Sequence, residues 1–98
     1  METISTPYVL NDKAKQAGKV FGQENFDVLN IQLKTGEEIP EHHADRDVLI
    51  IVRNGIVTFT VEGESVDITP EQILHIKPFE KHNLVAKEDV DLIVLKIK

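Results

Sequence analysis

The chain has 98 residues, 41% of them hydrophobic and 29% charged, which sustains one packed core, leaves too little for two, and excludes a disordered chain. Eleven basic residues against seventeen acidic ones give a formal charge of −6, and no Lys/Arg cluster interleaves with aromatics, so neither nucleic acid nor an anionic membrane is expected as a partner. Cysteine is absent, which removes disulfides, thiolate nucleophiles and Cys-ligated zinc from consideration. The stretch Met1–Pro7 shows no basic segment leading into an apolar one, and the longest aliphatic run, Val48–Val52, is five residues. Secretion and membrane spanning are therefore not expected, and a cytoplasmic location fits.

Residues 1–25 mix short apolar groups with Asn11, Asp12, Lys13 and Gly18, and read as an N-terminal edge segment. A short edge strand is predicted near Tyr8–Leu10, followed by one helical turn ending at Gly18. From Phe26 the period becomes two, with Leu29, Ile31 and Leu33 on one face and Val28, Asn30 and Gln32 on the other; Lys34-Thr35-Gly36 closes this strand. Val48–Val52 is apolar throughout, as in a strand covered on both faces, and Arg53-Asn54-Gly55 predicts a hairpin turn into the next strand. In that strand Val57, Phe59 and Val61 alternate with Thr58 and Thr60, and Glu62-Gly63-Glu64 turns the chain into Ser65–Ile68. Thr69–Gln72 is a turn, Ile73–Ile76 a strand, and Pro78–Lys81 a break. Two last strands, His82–Ala86 and Val90–Ile97, flank Lys87-Glu88-Asp89. No segment carries a long 3.6-residue pattern, so the fold class is all-β, a sandwich or barrel. Residues 26–98 form its body and residues 1–25 pack on it, within a single domain.

One glycine-framed stretch stands out: Gly36, His42 after five intervening residues, and Gly55 after the apolar strand, with Pro78 and His82 later in the chain. This order resembles the two motifs of the cupin family, in which the first reads Gly, five residues, His, one, His, three or four, Glu, six, Gly. Anchored on Gly36 and Gly55 it fits without a gap, but Ala44 stands where the second histidine would be and Val48 where the glutamate would be. In the second motif Pro78 and His82 keep the outline, Glu71 and Glu80 replace glycines, and the Pro-to-His spacing is one residue short. The resemblance covers roughly residues 28–97 and is similar to a branch of very small single-domain cupins. It implies a double-stranded β-helix, or jelly-roll, barrel, and a pocket site that could hold one divalent metal ion, with His42 and His82 as its candidate ligands.

A divalent ion takes three or four converging N/O donors. Alternation along the strand sends His42, Ala44 and Val48 inward and His43 outward. A third ligand would have to come from Glu41, Asp45 or Asp47. Three readings of the pair stand open: imidazoles hydrogen-bonded in a polar pocket, a weak metal site completed by water or a carboxylate, and a tight catalytic metal. His75 lies opposite Leu74 and Ile76 on its strand, so its role depends on which face lines the pocket. Arg46 and Arg53 are expected to pair with nearby carboxylates, with an anion at the barrel mouth as the alternative. The serine-hydrolase elbow, phosphate loop, His-Glu-x-x-His and dinucleotide signatures are all missing.

The leading expectation is a cupin that binds a small molecule in its pocket. The alternatives are a metal-dependent enzyme of dioxygenase or isomerase type, and a protein-interaction domain whose pocket Val48, Ile50, Val52 and Phe59 would fill. Because Val48–Val52 and Leu92–Ile97 are apolar on both faces, a homodimer is expected.

Overall fold

The structure, a computed structural model, describes residues 1–98 and consists of nine strands joined by turns. They are β1 (Lys15–Gly22), β2 (Phe26–Leu33), β3 (Glu38–His42), β4 (Asp47–Asn54), β5 (Val57–Val61), β6 (Glu64–Ile68), β7 (Ile73–Ile76), β8 (His82–Ala86) and β9 (Val90–Ile97). Two antiparallel sheets result, one ordered β1-β2-β9-β4-β7 and the other β3-β8-β5-β6. From β2 onward the chain crosses to the opposite sheet at every connection except β5–β6, which is the jelly-roll order of a double-stranded β-helix. The alternating apolar residues of both sheets meet between them in a cluster of fourteen buried side chains. Val57, Phe59, Leu33 and Leu92 are at most 1% exposed. Burying one such side chain contributes roughly 1.5–3 kcal/mol.

The β5–β6 connection is a true two-residue hairpin: Glu62 (φ 48°) and Gly63 (φ 82°) both adopt the left-handed conformation, whose twist matches that of the flanking strands. The Asn-Gly signal at Asn54-Gly55, by contrast, does not make a hairpin. β4 pairs with β9 and β7 while β5 pairs with β6 and β8, so the turn carries the chain from one sheet to the other. A hairpin would place Val48, Ile50 and Val52 in one sheet with Val57 and Phe59; the crossing instead buries them against each other from opposite sides of the core. Gly55 serves the crossing with φ +88° and close backbone approach, since a Cβ there would lie 2.1 Å from the Asp89 carbonyl oxygen. The same corner is tied by Lys87 and Glu88, whose N–H groups donate to the Ile56 carbonyl at 3.0 and 3.1 Å.

The N-terminal reading also needs correction. Tyr8–Leu10 is not a strand, the single turn closes earlier, with Asp12 and Lys13 N–H donating to Val9 O, and Gly18 lies in the middle of β1 opposite Asn30. Residues 6–10 are instead held by side chains. Gln32 accepts from Val9 N–H at 2.9 Å and donates to Pro7 O at 2.8 Å and to Asn30 Oδ1 at 2.9 Å. Asn30 donates to Asp91 Oδ1 at 2.8 Å, and Arg53 bridges Asp91 at 2.8 Å and the Thr6 hydroxyl at 2.7 Å. This strap explains why Asn30 and Gln32, on the face of β2 opposite Leu29 and Ile31, are 2% and 0% exposed, with both side-chain amides hydrogen-bonded.

Candidate functional site

β3 and β8 lie side by side, with Ile39 opposite Leu84 and His42 opposite His82. Between those pairs Pro40 and Glu41 stand against Asn83 alone, a β-bulge on an edge strand, where proline is tolerated. The bulge decides where His42 points. Strict alternation from inward-facing Ile39 would turn a residue three positions later to the outside, and the extra residue restores it to the inside. The two imidazoles consequently meet edge to face, with ring centroids 4.2 Å apart and planes at 63°.

Each ring is oriented by the backbone two residues earlier. His42 Nδ1–H donates to the Pro40 carbonyl and His82 Nδ1–H to the Glu80 carbonyl, both at 2.9 Å. A carbonyl only accepts, so each neutral ring carries its lone pair on Nε2. His42 is exposed at the rim, whereas His82 is 5% exposed. Burial is the main cause that lowers the His82 pKa; the Glu80 carbonyl bond opposes it, and the charges of His42 and Lys96 lower it further.

The pair forms part of the wall of a cavity of about 170 Å³ between the sheets, with ten hydrophobic residues among the thirteen that line it. Leu29, Ile31, Ile50 and Val94 come from the five-stranded sheet, and Ile39, Phe59 and Leu84 from the four-stranded one. Ala44 and Val48 line it as well, so the residues that replace a histidine and a glutamate of the family motif stand at the cavity wall. The only polar lining groups are His42, His82 and Lys96. Lys96 escaped sequence analysis, although the period of two through Val90, Leu92 and Val94 continues to it and was the available signal.

The other singled-out residues lie elsewhere. His43 faces a polar depression at the mouth with Asp27, Asp45, Arg46 and Lys96, its ring 6.4 Å from that of Phe79. Arg46 lies 3.3 Å from Asp45 and 3.8 Å from Asp27. His75 is exposed, with Nε2 2.7 Å from Asp47. Glu41 borders a separate surface hollow. The loop carrying Ala44 is stapled by Phe79, whose N–H donates to Ala44 O at 2.7 Å from a turn in which Phe79 itself has φ +69°, a conformation that favours glycine.

No three His, Cys, Asp or Glu side chains come together in an arrangement that could hold a metal ion. His42 and His82 supply two nitrogen donors, oriented as metal-bound histidines usually are, but Asp45 and Asp47 are engaged elsewhere and Glu41 faces outward. Two imidazoles do not complete the three or four donors that hold a catalytic metal tightly, so this donor set does not fit such an ion.

Comparison with known proteins agrees with this architecture. The structure is similar to an RmlC-like cupin protein from Desulfovibrio desulfuricans, with TM-score 0.86 and 20% identity over 99% of this chain and 96% of that one. It is also similar to an RmlC-like cupin family protein with a double-stranded β-helix fold from Methanocaldococcus jannaschii (TM-score 0.81, 22% identity, 99% and 90% covered) and to KdgF from Halomonas sp. (TM-score 0.75, 17% identity, 96% and 94% covered). At these identities the likeness establishes the fold alone. No curated protein matches the sequence. The model of the cupin domain, however, matches residues 29–98, and with the strand order described above it makes this chain a member of the cupin family.

Proposed function

We propose that the protein binds a small molecule in the cavity between its sheets, with His42 and His82 presenting Nε2 to the ligand and no metal required for binding. One observation carries this reading: both imidazoles spend Nδ1 on backbone carbonyls, and the wall around them is otherwise almost wholly apolar. Small-ligand sites have this makeup, an apolar enclosure with a few convergent polar groups. Val48, Ile50 and Phe59 narrow the cavity and still leave about 170 Å³, which favours ligand binding over a filled, purely structural interior. The reading includes a homodimer formed through the outer face of the five-stranded sheet.

A fragment screen by thermal shift is the test. A ligand at a hundredfold excess over its Kd adds about 2.7 kcal/mol, which raises Tm by upwards of 10 °C in a domain of roughly this size. The expected result is such a shift, lost in His42→Ala/His82→Ala and in Ala44→Phe, which fills the cavity. A screen in which no fragment or metabolite extract moves Tm overturns the reading. Elemental analysis of the parent beside the double histidine variant is expected to find no stoichiometric metal in either; a stoichiometric ion in the parent alone would restore the metal-dependent alternative.

A further inference from the structure

We infer that the ligand of this cavity is a small carboxylate, with its apolar part enclosed between the sheets and its anion held by Lys96 at the mouth. This rests on the reading of the cavity as a ligand site. Lys96 follows Val90, Leu92 and Val94 on the inward face of β9 and is the only permanently cationic side chain lining the cavity. It is half-buried, yet it makes no ion pair and no side-chain hydrogen bond, unlike the neighbouring cations. Its cross-strand partner is Asp27, the carboxylate positioned to neutralise it. Asp27 is taken by others: Lys98 Nζ lies 3.0 Å away, and Lys19 and Arg46 each 3.8 Å. No carboxylate lines the cavity.

The mouth is therefore less acidic than the molecule as a whole. The depression at the mouth holds Arg46 and Lys96 with Asp27 and Asp45, and Lys19 and Lys98 also reach Asp27, in a chain whose formal charge is −6. Lys96 lines both the cavity and the depression at its mouth, so an anion entering the cavity meets an ammonium that has no carboxylate partner. The size bounds the ligand. About 170 Å³ is below the roughly 300–1,000 Å³ of sites for drug-sized ligands. A short aliphatic or single-ring acid fits this description, and a sugar acid covered in hydroxyls does not, because only the two histidines could answer its donors.

Matched probes separate the charge from the shape. Butyrate and benzoate, their amides, and butylamine and benzylamine are titrated by calorimetry into the parent, Lys96→Met and Lys96→Gln, each checked for an unchanged fold by its Tm. The acids are expected to bind the parent at least about tenfold more tightly than the amides, and the amines least of all, with the acid preference lost in both variants while amide affinity stays the same. Equal binding of acids and amides to the parent, or an acid preference that survives in either folded variant, overturns the carboxylate inference and leaves the cavity reading standing. Failure of all six probes to bind the parent overturns the carboxylate inference, and the fragment screen then decides the cavity reading. Should one variant be unstable, the other and the acid-to-amide ratio in the parent still decide.

Discussion

Burial of His82 ties stability to pH in a direction set by its cause. The folded state holds this imidazole neutral, with its pKa below the ordinary 6.5, so the unfolded chain takes up the proton first as pH falls. Its contribution is complete above pH 6.5 and is lost between that value and the lowered folded one. Urea unfolding is expected to give a smaller free energy at about pH 5.5 than at about pH 7.5, with the difference reduced in His82→Gln; an unchanged difference in that variant would show that other groups cause it. Backbone conformation supplies a second residue-scale prediction. Gly55→Ala combines φ +88° with a Cβ 2.1 Å from Asp89 O and should cost about 3 kcal/mol or more, whereas Gly36→Ala, at φ +86° in open space, should cost only about 1–2 kcal/mol. Denaturant midpoints of the two variants check the ranking. His42, His82 and both glycines were legible as residues, because spacing and residue type mark them. Lys96 was not, since a lysine near the end of an apolar strand usually points to solvent, and the period of two that carries it inward is established by its register opposite Val48 and Asp27. Nor did the sequence reveal the bulge at Pro40-Glu41 that aims His42.

Strands were readable where the period of two was clean, in β2, β5 and β6, but their partners were not, because alternation records burial and carries no information about which neighbour supplies it. Arg53-Asn54-Gly55 was taken for a hairpin on this account: positive φ serves a sheet crossing as well as a hairpin. Tyr8–Leu10 was misread for a related reason. Its apolar character is real, with Leu10 2% exposed, but the segment is held by side chains and has no ladder of its own. That difference can be tested. Gln32→Leu keeps approximate size while removing the bonds to Val9 N and Pro7 O, and should cost about 1–3 kcal/mol. Hydrogen exchange should show the Val9 amide losing its protection while amides of β4 and β9 exchange as slowly as the lower global stability allows. A Val9 amide as protected as in the parent would mean that the strap is held by something other than Gln32.

At the scale of the whole molecule, the outer face of the five-stranded sheet is the feature that a lone chain leaves unfinished. Val28, Leu95 and Leu49 form one cross-strand row, Ile93, Ile51 and Ile73 the next, and Ile97 lies beside them. An antiparallel sheet that faces water on one side alternates apolar inward and polar outward, yet here Ile51 and Ile97 are each 37% exposed and Ile73 64%. The N-terminal strap covers only the end near Gln32 and Asp91. A second copy, placed face to face about a twofold axis, would cover these rows, and a standard interface needs about 800 Å² from each partner. The parent is accordingly expected to sediment as a dimer at tens of micromolar, and Leu49→Lys/Ile51→Lys as a folded monomer, since four buried lysines would meet at the interface. A parent that is monomeric at that concentration overturns the dimer. Because the cavity lies on the inner side of the same strands, Val48 and Ile50 lining it while Leu49 and Ile51 face out, dissociation should leave ligand affinity within about a factor of two. A monomeric variant that also loses the ligand would show instead that the two faces of β4 are coupled and that pairing of the subunits shapes the pocket.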